Sequence, residues 1–138
     1  MSILFWGTVE FSHRALSHLL EKGYPVDGVI TMESSSFNTD FADISPLAEQ
    51  YNVPIRYVDK KLLDSDLEWI NKQNPDLILC WGWSYLLPQS ILSIPRLGVI
   101  GYHPAQLPMN RGRHPLIWAL ALGLEQTASS FFMMDEGA

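Results

Sequence analysis

A histidine, His103, ends the short apolar run Val99 to Tyr102 and opens an irregular stretch reaching Pro115. Pro104, Pro108 and Pro115 pre-set φ there, and Gly112 permits conformations other residues avoid, so polar groups can be held at low entropic cost. Asn110, Arg111, Arg113 and His114 are the polar groups so held. An imidazole at a strand's end titrates near neutrality and suits a general acid or base. The plainer alternative is a histidine hydrogen-bonded beneath the loop. Arg111 and Arg113 can each fork onto a phosphate or carboxylate of a substrate, or pin the loop through backbone carbonyls.

A second stretch, Trp81 to Leu87, brings Trp81, Trp83 and Tyr85 together with Ser84 and Leu86. Aromatics of this kind wall small-molecule pockets and equally serve as core packing. Gly7-Thr8 follows the first apolar run, but no Gly-x-Gly-x-x-Gly does, so a dinucleotide fingerprint is missing. The single cysteine, Cys80, excludes an intrachain disulfide framework and fits a reducing compartment. No Cys/His grouping has zinc spacing, and no metal is expected.

The elements that must position these groups alternate between strand and helix. Strands are expected over Ser2 to Trp6, Val26 to Met32, Ile55 to Val58, Leu77 to Trp81, Val99 to Tyr102 and Ser129 to Met134. Helices are expected over Glu10 to Lys22, from Ser45 as N-cap to Tyr51, over Ser65 to Gln73, over Leu86 to Ile94 and over His114 to Leu124. Glu33 to Asp43 is polar and reads as a loop. Short continuous apolar strands between amphipathic helices call for a doubly wound, mostly parallel α/β sheet with helices on both faces. Ligands of such a sheet bind beyond the carboxyl ends of its strands, where the strand order reverses. That places interest on Gly7 to Val9, Glu33 to Phe41, Trp81 to Leu87 and His103 to His114.

With 138 residues, 47% hydrophobic and 17% charged, the chain has room for one domain with a core. Nine Lys and Arg against fifteen Asp and Glu leave a formal charge of −6, a poor footprint for nucleic acid. No signal peptide opens the chain, and no apolar run reaches the roughly 20 residues of a membrane span, so a cytoplasmic domain is expected.

The stretch Val99 to Gly112 resembles the signature of the folate-dependent formyltransferases, Asn-x-His-(Pro/Ala)-Ser-Leu-Leu-Pro-x-x-Arg-Gly. These include methionyl-tRNA formyltransferase, glycinamide ribonucleotide formyltransferase and the sugar N-formyltransferases. Ile3 to Phe11 is similar to their opening strand and Gly-Thr-Pro-Glu-Phe turn. Asn74 to Ile78 with Ser84 to Pro88 is similar to their fourth strand and following loop, and Met134 to Gly137 to the end of the sixth. The resemblance spans the chain in order and implies a Rossmann-like formyltransferase domain over residues 1–138.

It further implies formyl transfer from 10-formyltetrahydrofolate to a primary amine, with His103 as the catalytic histidine. The loop holding Trp83, Ser84, Tyr85 and Leu86 would receive the pterin, largely through backbone groups, and Thr8, Arg111 and Arg113 would meet the amine substrate. Two positions depart from the pattern. The family's asparagine, a donor to the formyl oxygen, is Gly101 here. Losing one such donor typically costs about 2.7 to 4 kcal/mol of transition-state stabilisation, and Asn110, Ser84 or a backbone N–H could substitute. The family's catalytic aspartate would fall immediately after Ala138, so the chain is expected to be an incomplete domain with little activity alone. The segment Glu33 to Phe41 has no Arg or Lys where the tRNA enzymes carry an Arg-rich loop. A small acceptor, such as an amino sugar nucleotide, is therefore expected over tRNA. A non-catalytic domain binding folate or a partner is the alternative, and a flavodoxin-like nucleotide-binding or regulatory domain a more distant one.

Overall fold

The structure, a computed structural model, describes residues 1–34, 40–103 and 130–134, with His103 and Ser130 described through the backbone. The order is β1 (Ile3–Trp6), α1 (Glu10–Glu21), β2 (Val26–Thr31), α2 (Ser45–Gln50), β3 (Ile55–Tyr57), α3 (Asp64–Gln73), β4 (Leu77–Cys80), α4 (Gln89–Leu92), β5 (Val99–His103) and β6 (Ser130–Met133). The expected helix over His114 to Leu124 lies outside the described residues.

The strands form one six-stranded sheet in the order β3-β2-β1-β4-β5-β6. β1 to β5 pair parallel, whereas β6 runs antiparallel to β5. All four residues of β1 and of β4 are buried. Strands covered on both faces need apolar side chains on both, which is why they read as unbroken hydrophobic runs rather than alternating ones. On one face Phe5, Leu79, Trp81, Ile100 and Phe131 pack with Leu16 and Leu19 of α1 and Ala48 of α2. On the other Leu4, Trp6, Ile78 and Val99 pack with Ile70 of α3 and Ile91 of α4. Each such side chain contributes about 1.5–3 kcal/mol by leaving water.

α1 buries Ala15, Leu16, Leu19 and Leu20 at helical spacing. It stops in a Schellman turn: Gly23 takes φ +78°, its N–H reaches Leu20 O, and Tyr24 N–H reaches Leu19 O. Several expected boundaries shift by a residue or more, and two of the shifts have a visible cause. α2 is capped from Ile44 rather than Ser45, because the Asp43 carboxylate accepts from both Ser45 N (3.0 Å) and Ser45 Oγ (2.6 Å). α4 is a single turn beginning after Pro88, whose carbonyl accepts from Ile91 N and Leu92 N. Leu86, expected inside that helix, is 83% exposed in the preceding loop. At the opposite end of the sheet Asp76 accepts from Ser2 N and Arg96 Nε. The Ser2 N–H first, and the guanidinium second, hold its carboxyl below the usual range.

Candidate functional site at the carboxyl ends of the strands

The strand order reverses between β1 and β4, so the loops leaving these two strands flank the crevice where a ligand is expected. Here that crevice is laced shut. Thr8 donates twice to Gly82 O, from its N–H (3.0 Å) and from Oγ1 (3.0 Å). Ser12 Oγ donates to Trp81 O at 2.5 Å and accepts from Val9 N at 3.2 Å. Side chains on Gly7 or Gly82 would collide with Ser12, and Gly82 takes φ +100°, a conformation other residues rarely adopt. The loop after β2 joins the same knot, through Glu10 N to Asp40 O (3.2 Å), Ala42 N to Thr8 O (2.8 Å) and a bridge between Val9 and Phe41.

The amides of this turn are used within the fold. The amides of Gly7, Thr8, Val9 and Glu10 are all committed, to Ile30 O, Gly82 O, Ser12 Oγ and Asp40 O. None of these four is left to cradle a phosphate. Thr8, expected to meet substrate, is 1% exposed with its hydroxyl committed to Gly82. It ties the two loops together.

The loop after β4 sorts its aromatics between core and surface. Trp81 is fully buried among Phe5 (ring centroids 5.9 Å), Phe11 (6.4 Å) and Phe131 (5.0 Å), which settles the choice for this residue in favour of core. Trp83 and Tyr85 are half-buried, their rings 5.3 Å apart, and Trp83 leans on Trp6 at 5.5 Å. Ser84 and Leu86 are exposed and Leu87 is buried beneath them. This partly open aromatic surface, with backbone running past it, suits a flat heteroaromatic ligand. Lys60 places its ammonium 6.0 Å from the Tyr85 ring centroid, a cation that the sequence did not associate with this loop. Cys80, just below, is inert: burial pushes its thiol up to about 12.

A cleft of about 400 Å³ opens beyond β2 and β3, lined by Met32, Glu33, Arg56, Tyr57, Leu63 and Asp66, among others. Its floor is an ion pair, Arg56 Nε to Asp66 Oδ1 at 3.0 Å. The second oxygen of Asp66 accepts from Leu63 N at 2.8 Å, fastening the start of α3. Spacing in sequence carried no signal for this pair, because Arg56 and Asp66 meet only once β3 and α3 are placed.

β5 ends on His103, paired through the backbone with Ser130 of β6. The strand thus delivers His103 to the carboxyl edge of the sheet, two strands from β1 and beside the Trp83 loop. Gly101 lies opposite Cys80 on one side and Phe132 on the other. Arg111, Arg113, Asn110 and His114 lie outside the described residues, as do Asp135 and Glu136.

Comparison with known proteins agrees with this architecture. The sequence pattern of the formyl transferase family matches residues 1–138. A methionyl-tRNA formyltransferase from Citrifermentans bemidjiense is 35% identical over 141 residues, covering 99% of this chain and 44% of the relative. One from Syntrophus aciditrophicus is 34% identical, covering 99% of this chain and 45% of the relative. The chain thus spans less than half the length of these relatives. The crystal structure of phosphoribosylglycinamide formyltransferase from Streptococcus pneumoniae superposes with a TM-score of 0.65 at 18% identity, covering 99% of this chain and 75% of that one.

Proposed function

From the premise that the chain belongs to the formyl transferase family, we propose that it forms the donor-binding part of an enzyme passing a formyl group from 10-formyltetrahydrofolate to a primary amine. The observation carrying this reading is the family match along the whole chain together with β5 ending on His103 at the carboxyl edge. 10-Formyltetrahydrofolate supplies the formyl group. Trp83 and Tyr85 give a partly exposed aromatic surface for its ring system, and the backbone from Trp83 to Leu86 gives donors and acceptors along the ring edge. His103 takes part in proton movement at the formyl carbonyl while the amine nitrogen replaces the donor nitrogen on the formyl carbon. The amine gives up one proton and the donor nitrogen takes one up. Arg111 and Arg113 serve the acceptor. Thr8 serves it indirectly, by holding the Gly82 turn.

For the acceptor, the segment Glu33 to Phe41, without Arg or Lys, favours a small amine such as an amino sugar nucleotide. A second reading, methionyl-tRNA, is favoured by what the named relatives act on.

The test is formyl transfer by the full-length gene product, offered amino sugar nucleotides in one arm and methionyl-tRNA in the other. Transfer to one arm assigns the acceptor. His103→Ala is expected to lower kcat by 10²-fold or more, and full activity in that variant removes His103 from the chemistry.

A further inference from the structure

The cleft beyond β2 and β3 has a volume of about 400 Å³, within the range of small-molecule sites. β2 stands three strands from β5 in the sheet, and at about 4.8 Å per strand that is roughly 14 Å. A ligand lodged in the cleft therefore does not itself reach His103. Three carboxylates and one guanidinium line the cleft, and hydrogen bonds sort them. Both oxygens of Asp66 are spent, on Arg56 Nε and on Leu63 N. Asp59 turns back on its own chain and accepts from Lys60 N at 2.7 Å. Glu33 is exposed, and its carboxylate makes no hydrogen bond or ion pair among the described residues. Arg56 donates from Nε to Asp66 and from Nη2 to Ser65 Oγ at 3.2 Å. Of its five N–H groups, the two on Nη1 stay uncommitted among the described residues. Tyr57 and Leu63, 42% and 58% exposed, are two of the six large hydrophobics left at the surface of the described residues, and both line this cleft.

These groups select against an anion, because the one cation is already paired and Glu33 and Asp59 repel negative charge. They suit a neutral ring system carrying adjacent hydroxyls: a carboxylate accepts from the hydroxyls, the guanidinium donates to a ring acceptor, and an aromatic side chain takes the flat face. Position agrees with composition. In wound sheets of this strand order an acidic residue at the end of the second strand holds a ribose hydroxyl, and Glu33 comes two residues after β2. We infer that this cleft binds a ribonucleoside, its ribose diol donating to the Glu33 carboxylate, its base accepting from Arg56 Nη1 and lying against Tyr57 and Leu63. Recognition rests on base and sugar rather than on phosphate, since the amides from Gly7 to Glu10 are committed elsewhere. The site goes beyond the formyl-transfer reading and stands without it. The same chemistry receives the nucleoside end of a nucleotide-linked acceptor or a separate nucleoside effector.

The experiment is calorimetric titration of the full-length gene product with adenosine, uridine and the 2′-deoxy form of each. At least one ribonucleoside is expected to bind at millimolar concentration or below, with its 2′-deoxy form about tenfold weaker, the effect of losing one charge-assisted hydrogen bond. Glu33→Ala is expected to weaken the ribonucleoside about tenfold and to erase its advantage over the 2′-deoxy form. Tyr57→Ala is expected to weaken both forms alike. Both side chains are exposed and neither belongs to the Arg56–Asp66 pair, so the fold is kept. Absence of binding by all four probes, or binding unchanged in both variants, overturns the inference. Equal affinity for the ribonucleoside and its 2′-deoxy form overturns the part given to Glu33. In steady-state formyl transfer, competition between the bound nucleoside and the acceptor identifies the acceptor as the source. A changed rate without competition identifies a separate effector, and binding with neither effect overturns a role for the cleft in the reaction. Absence of formyl transfer overturns the formyl-transfer reading, while the titrations still decide what the cleft binds.

Discussion

Ser12→Ala removes one oxygen from the knot that closes the β1–β4 crevice, and its effect can be worked from the bonds. The Ser12 side chain is fully buried and makes two of them, to Trp81 O at 2.5 Å and from Val9 N at 3.2 Å. Each is worth about 1 kcal/mol net. The Trp81 bond is buried, so its carbonyl loses a donor that water cannot readily replace, whereas the half-buried Val9 amide recovers part of its loss. The total is about 2–3 kcal/mol of destabilisation. Ser-to-Ala substitution also raises helix propensity by a few tenths of a kcal/mol. Ser17→Ala on the same helix, whose bond to Glu21 is exposed, is the matched control for that gain. Equilibrium urea unfolding should show a lower midpoint with an unchanged m-value for Ser12→Ala, and little change for Ser17→Ala. The thermal midpoint should fall by about 6–12 °C. A loss below about 0.5 kcal/mol, or one equal to that of Ser17→Ala, would refute the assignment of Ser12 as the pin between the two loops.

Asp66→Ala removes the partners of both Arg56 Nε and Leu63 N; with the Arg56 side chain 30% exposed, about 2–3 kcal/mol should be lost. Asp66→Asn, which keeps an acceptor, should lose less, and equal losses in thermal melts would exclude the carboxylate as the reason. Cys80 should resist thiol reagents in the native state and react once urea unfolds the chain; prompt native labelling would contradict its burial. Its folded thiol ionises near 12 and its unfolded thiol near 9.0, so its contribution is complete below pH 9 and is lost as pH rises toward 12. Stability should therefore decline less steeply above pH 9 in Cys80→Ala, and parallel pH profiles for the two proteins would contradict that linkage.

Much of the fold was legible because strands buried on both faces leave unbroken apolar runs, as at Ile3–Trp6 and Leu77–Cys80. The segments around Gly7, Trp83 and His103 were legible as loops because ligand sites of wound sheets lie at strand ends, which the alternation of elements already located. Periodicity carries no information about partners across strands. Phe132 over Gly101 depends on the antiparallel register of β5 and β6, and Trp81 joins the core because Phe5, Phe11 and Phe131 converge on it. In the sequence Ser12 is simply a polar position within the helical pattern of α1. Its role comes from a carbonyl 69 positions away. α4 was overestimated because Leu86 and Leu87 continue its apolar pattern, although Pro88 defers helix formation to the following residue.

The knot at the strand ends also bears on how such a domain can change its clientele. The loop after β2 returns at Asp40 and Ala42, both bonded to the β1–α1 turn, and that turn is bonded in its own right to the Gly82 turn. Length and composition between Ser34 and Asp40 can therefore drift while the posts that carry the segment stay registered to the Trp83 loop. The stretch between these posts and the Trp83 loop become separable inheritances, one free to diversify while the other keeps its bonds. A segment exchanged between these posts should travel as a cassette, whereas one exchanged across Phe41 would take the crevice apart.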